Sequence, residues 1–213
     1  MELIDLAYIT NVLQLIAAIV ATFHYKKYAF SHEKYFVFFL WFTVLVDAVG
    51  ALLADVFGIV NAWVYNSFII ISFLFYFNWY YNILKRPNFK KVVMPFTIIF
   101  VIVALISLFT ESWKEYHTYT FFTGAVFLLV LTIFHFYQLL NSNEVLIVKY
   151  KLSFWISTAL LLFYMGMVPL IFLIEYTGIE YLSYFIILIS LNLILYGCYI
   201  IGFLWTKKEY NRF

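Results

Sequence analysis

Charge is scarce in this chain of 213 residues. Only 11% of the positions are Asp, Glu, Lys or Arg, where a soluble domain carries about a quarter. With 66% hydrophobic residues and a mean hydropathy of +0.97, that scarcity excludes a water-soluble domain. The formal net charge of +2 is too small for a nucleic-acid binder, and 24% aromatic residues exclude intrinsic disorder. Cysteine occurs once, at Cys198, so there is no internal disulfide and no paired-cysteine zinc or redox motif. No glycine-rich phosphate loop, nucleophile elbow or internal repeat is present either, which removes the usual catalytic signatures.

What the sequence does hold is long apolar runs. A helix crossing the hydrocarbon core needs about 20 mostly apolar residues. Seven stretches qualify: 6–25, 35–57, 62–84, 92–110, 118–140, 153–175 and 181–206. Their apolar character is continuous rather than alternating, which predicts helices and not barrel strands. The expectation is an all-α polytopic membrane protein, one seven-helix domain over 1–213, with short polar connectors such as 85–91 and 141–144. Pro87 reads as a loop breaker and Pro95 as a first-turn proline of the fourth span. The amino-terminal stretch begins acidic, with Glu2 and Asp5, and reads as a first span rather than a cleavable signal.

Basic residues set the expected orientation. Lys26, Lys27, Lys34, Lys85, Arg86, Lys90, Lys91, Lys149, Lys151, Lys207, Lys208 and Arg212 fall on one side, twelve of the thirteen Lys and Arg. Lys114 alone lies opposite, in company with Glu111, Glu115, Glu175 and Glu180. This predicts an external amino terminus and a cytoplasmic carboxyl terminus. Aromatic groups at span ends, including Trp79-Tyr80-Tyr81 and Trp113 to Tyr119, read as an interfacial belt.

Buried polar residues supply the functional candidates. A carboxylate at mid-bilayer costs about 2.5–3.5 kcal/mol, so such groups turn inward, pair or become protonated. Asp47 lies at the centre of the second span on a mostly small stripe with Thr43, Gly50, Ala51 and Ala54, Leu40 and Val44 being the bulkier exceptions, while Phe38, Leu45, Val49 and Leu52 lie on other faces. Small residues let helices approach closely, so Asp47 is expected to face the bundle. Asp55, about 12 Å further along and rotated by about 80°, cannot share a proton with it. Asn11, Gln14, Asn66, Asn192 and Tyr196 join Asp47 as candidate lining of an outward-facing polar cavity, if the first, second, third and seventh spans are neighbours. Asp47 reads equally as an interhelical hydrogen-bonding group, and each amide as one bonded to neighbouring backbone. Ser183, Ser190 and Gly197 read as a packing stripe, and Pro169 as a candidate hinge in the sixth span.

Cofactor sites are not expected. The last span has no Schiff-base lysine before Lys207, which argues against retinal, and it has no histidine for a membrane metallohydrolase. His24 and His135 form the only histidine pair at matching depth, too little to specify haem. No metal or catalytic residue is assigned.

The segment Tyr196-Gly197-Cys198-Tyr199-Ile200-Ile201-Gly202-Phe203-Leu204-Trp205-Thr206-Lys207-Lys208-Glu209-Tyr210 resembles uncharacterised small seven-helix membrane proteins of Bacteroidota. Phe154-Trp155-Ile156-Ser157 and Tyr119-Thr120-Phe121 are similar to the same group. The resemblance implies a bacterial inner-membrane setting and no reaction. Together these readings point to a sensor or receptor-like protein that binds a small molecule or lipid and signals through a separate cytoplasmic or membrane partner. The alternatives are a small transporter or channel subunit coupled through Asp47, and a structural subunit of a membrane complex.

Overall fold

The computed structural model describes the backbone of residues 3–142, 145–177 and 181–211, with side chains from Ile9 onward except 175–177 and Tyr181. Of the residues used above for orientation, Glu2, Glu180 and Arg212 lie outside the described residues, as do the side chains of Asp5 and Glu175. Connector residues Asn143 and Glu144 are likewise outside them.

Every described element is helical. The long ones are α1 (Leu3–Phe23), α2 (Phe36–Ala51), α3 (Ala62–Ile83), α4 (Pro87–Thr110), α5 (Thr118–Leu140), α6 (Leu152–Thr177) and α7 (Tyr181–Trp205). All seven expected stretches are therefore helices. Five segments are long and apolar enough to cross a membrane: His32–Val56, Pro87–Thr110, Thr118–Leu140, Leu152–Ile174 and Leu182–Trp205. The apolar segment Ile9–Phe23 is shorter. α3 spans 22 residues, but Tyr65, Asn66, Ser72, Asn78 and Asn82 dilute its hydropathy. The apolar surface fits a lipid-facing role: Met94, Ile98, Ile102, Leu105 and Phe109 line α4 exposed, Phe109 by 88%. Apolar surface on that scale marks contact with lipid or another protein.

Two element ends depart from expectation. α4 starts at Pro87, five residues before the apolar run, so Pro87 is the first-turn proline and Pro95 lies inside the helix. Lys90 and Lys91 hid this start from hydropathy. Rings take up the charge there, with the Lys90 ammonium 4.3 Å from the Tyr81 ring centre and the Arg86 guanidinium 4.9 Å from that of Tyr137. α2 loosens into a π turn over Leu52–Val56, closed by a bond from Phe57 N–H to the Leu52 carbonyl. Gly58 then takes φ +63°, and Ile59 N–H bonds to the Leu53 carbonyl. Such a left-handed helix terminus favours glycine.

The chain forms two compact units: residues 1–41 with 139–213, and residues 42–138. In the first, α7 packs most extensively on α6 and next on α1. Lipid removes the hydrophobic drive for helices to associate, so close backbone approach matters more. Gly166 meets the Leu191 side chain, and Gly202 sits against Trp155, where an added Cβ would lie 2.6 Å from the Trp155 Cβ. Gly197 meets nothing within 4 Å and Ser190 is exposed, bonded only within its own helix to Ile186. The expected Ser183–Ser190–Gly197 packing stripe is thus displaced onto Gly166 and Gly202. Tyr28 closes the unit below α1: its buried hydroxyl donates to the Ala21 carbonyl at 2.6 Å, and its ring meets Phe203. Burial, reinforced by Tyr25, holds the Tyr28 hydroxyl well above its ordinary pKa.

The second unit is built on rings. Phe73 meets Phe77, Phe100 and Phe121, while Phe96 stacks on Phe127 and Phe89 on Phe134. Each such pair adds about 0.5–1.5 kcal/mol beyond contact area. Gly124 lets Phe73 lie against α5. At one end Gln138 accepts from Lys85 N–H at 2.6 Å and Arg86 N–H at 3.3 Å, tying the α3–α4 turn to α5.

Candidate functional site

The polar residues anticipated from the sequence fall in both units. Asn11 is exposed. Gln14 is 1% exposed, and its Nε2 has no hydrogen-bond partner among the described residues. Asn192 is half-buried and donates to the Leu188 carbonyl of its own helix, and Tyr196 is buried beside the Tyr199 ring. All four belong to the first unit, as does Pro169, which is exposed within a continuous α6. Asp47 and Asn66 belong to the second.

His24 bonds the Val20 carbonyl through Nδ1, and His135 is buried against the Trp79 and Tyr80 rings. Among the described residues no group of three or more His, Cys, Asp or Glu could hold a metal ion.

The second unit gathers a continuous polar cluster where α2 ends, α3 begins and α4 passes to α5. Thr43 and Gly50 are buried and Asp47 and Ala51 half-buried, whereas Phe38, Leu45, Val49 and Leu52 are exposed, so the small stripe is the packed side of α2 as far as Ala51; Ala54, in the π turn, is exposed. Gly50 is needed there, because the Tyr65 hydroxyl occupies the space a Cβ would take, at 2.6 Å. Asn61 donates to the Gly50 carbonyl at 3.0 Å, joining the start of α3 to α2. Tyr65 lies within electrostatic reach of Asp47, Asp55 and Tyr116, and its ring centre is 6.1 Å from that of Tyr116.

Asn66 ties the α4–α5 connection to α3. Its Nδ2 donates to the Glu115 carbonyl at 2.9 Å, and its Oδ1 accepts from His117 N–H at 3.0 Å. Asn66 is therefore spent on the loop backbone. Glu111 works beside it: one carboxylate oxygen accepts from Thr118 N–H at 3.0 Å, at the first residue of α5. A carboxylate there also suits the positive end of the helix dipole.

The consequence of this clamp is the burial of His117. Its side chain is 3% exposed, and neither ring nitrogen has a hydrogen-bond partner among the described residues. The second Glu111 oxygen and the Thr120 hydroxyl, one turn along α5 from His117, are buried and unpartnered in the same sense. The Ser72 hydroxyl of α3 is a fourth such group in this unit. Leaving a buried donor or acceptor unmet costs about 1–3 kcal/mol. Three of the four, on Glu111, His117 and Thr120, fall within ten residues of one another at the α4–α5 connection.

Sequence reading missed Glu111, Tyr116, His117 and Thr120 because all lie at or beyond a span end, where solvent exposure is the default. The available signal was Asn66 in the first turns of an aromatic helix, a residue placed to hold a loop. Comparisons of the chain with protein-family models, curated proteins and solved structures gave no match.

Proposed function

We propose that this chain is a seven-span, receptor-like bacterial inner-membrane protein. It binds a small molecule bearing hydroxyl or amine groups at the cluster around His117, and signals to a separate partner through its helices. The seven-span count extends the five apolar segments to α1 and α3. Under it the amino terminus is external, the carboxyl terminus cytoplasmic, and the three connections carrying basic residues face the cytoplasm with the tail. The same arrangement puts the end of α2, the start of α3 and the α4–α5 connection outside, where a ligand arrives. The inner-membrane setting follows from the Bacteroidota resemblance.

One observation carries the reading. A buried imidazole, a carboxylate oxygen and a hydroxyl, on His117, Glu111 and Thr120, stay unmatched while the neighbouring Asn66 amide and the other Glu111 oxygen are bonded to backbone. An imidazole offers one donor and one acceptor, a carboxylate oxygen accepts and a hydroxyl does both. A small polar guest with several hydrogen-bonding groups would meet this set. In this reading the signal leaves by helix movement.

Native mass spectrometry of the protein purified in mild detergent tests this. The wild type should retain a discrete small-molecule mass, and His117→Leu and Glu111→Gln should each lose it while keeping their helical circular dichroism. A wild type without such a mass, or one retained equally by both variants, would overturn the proposal.

A further inference from the structure

The face of the first unit where α6 begins and α7 ends carries a different polar construction, and it is fully bonded. Asn211 organises it. Its Oδ1 accepts from Leu152 N–H at 2.9 Å, satisfying a donor at the start of α6. Its Nδ2 lies at 2.6 Å from the Lys207 carbonyl, 2.7 Å from the Thr206 hydroxyl and 3.2 Å from the Tyr150 carbonyl. That Tyr150 carbonyl also accepts from Lys207 N–H at 3.2 Å and from the Thr206 hydroxyl at 3.3 Å. The backbones on either side of Tyr150 and Lys207 are thereby fixed to one another.

Two ammonium groups lie against the same ring, which Tyr210 also stacks on. Lys207 Nζ lies 4.2 Å from the Tyr150 ring centre and Lys149 Nζ 5.2 Å from it, so the two charges are no further apart than those two legs combined. Both lysines are exposed; Lys208 is exposed too, with its ammonium over the Phe30 ring, and Glu209 is the acid of the adjoining turn. Glu144 and Arg212 flank the site in sequence but lie outside the described residues. Two like charges held at one ring repel, and an anion reaching both relieves that repulsion. The surroundings are apolar: Leu146, on the same 3-10 turn as Lys149, is 87% exposed and Val145 is exposed beside it. Trp155 donates its indole N–H to the Lys149 carbonyl at 2.8 Å and meets Trp205 edge-to-face at 5.6 Å. Paired cations above exposed aliphatic groups and an indole pair match the boundary between headgroup and acyl chain.

We infer that Lys149 and Lys207, held over Tyr150 by Asn211, form a binding site for the phosphate of an anionic membrane lipid. Phosphate recognition alone would be served by the two ammonium groups. The exposed Leu146 and Val145 select the lipid over the free anion, because they offer acyl chains a surface that water does not favour.

The test adds phosphatidylglycerol to the detergent-solubilised full chain and counts retained lipid by native mass spectrometry. Wild type should hold at least three times as much phosphatidylglycerol as K149Q/K207Q, in which both substituted side chains are exposed. K149R/K207R should retain the lipid. K85Q/K91Q, which removes as much charge from the α3–α4 turn region, should behave as wild type. Four results would each overturn the inference: equal retention by K149Q/K207Q, equal loss in K85Q/K91Q, equal retention of phosphatidylcholine, or displacement of the lipid by millimolar inorganic phosphate.

Discussion

The carboxyl-terminal end of the first unit and the α4–α5 connection of the second both use a single asparagine to tie a loop to a helix, with opposite results. Around Asn211, both sides of the amide are engaged and the side chains it positions, Lys149 and Lys207, reach solvent. Around Asn66, both sides of the amide are engaged as well, yet the residue positioned, His117, is buried with its ring unmatched. A clamp that leaves no polar debt is explained by stability. A clamp that drives an imidazole into the interior beside an unmatched carboxylate oxygen is not, and that difference separates a structural device from a recognition site.

The comparison sharpens first at Asn211. Asn211→Ala removes one donor–acceptor set shared by Leu152, Tyr150, Thr206 and Lys207, and should destabilise the protein by about 3 kcal/mol, since buried partners are left unmet. A thermal melt in detergent followed by circular dichroism would register it. A loss under 1 kcal/mol would mean the end of the first unit is not held as described.

Helix packing in the same unit gives the next largest effect. Gly202→Ala places a methyl against the Trp155 Cβ, an atom that moves only with its backbone, and should cost about 2 kcal/mol. Gly197→Ala, five residues away on the same helix and facing open space, should change stability by less than about 0.5 kcal/mol. Equal melting shifts for the two would show that α6 and α7 do not approach as closely at Gly202 as described.

Much of the fold was legible in the sequence. Continuous apolar runs located all seven helices, and their ends agree closely except at α2, whose last turn loosens into a π turn, and at α4, where Lys90 and Lys91 interrupted the run although the helix continues through them. The small stripe of α2 was also readable, because Thr43, Asp47 and Gly50 recur at helical spacing. Which small residues of α7 pack was not: Ser183, Ser190 and Gly197 share the spacing of a packing stripe, but contact depends on where Leu191 and Trp155 sit, and that is a tertiary fact. The candidate site was half readable. Asp47 and Asn66 announced themselves as polar groups in apolar helices. Glu111, His117 and Thr120 did not, since a polar residue at a loop is unremarkable until a distant side chain buries it.

The central claim is that His117 serves a guest and not the fold, and the melting temperature of His117→Leu measures this most directly. Replacing an unmatched buried imidazole by an aliphatic group removes a desolvation cost of about 1–3 kcal/mol and forfeits no bond. The account predicts a variant that melts at or above the wild-type temperature when both are compared in the same detergent after the retained ligand has been stripped from the wild type. A fall of several degrees would contradict it, placing the His117 ring among the groups that hold the second unit together.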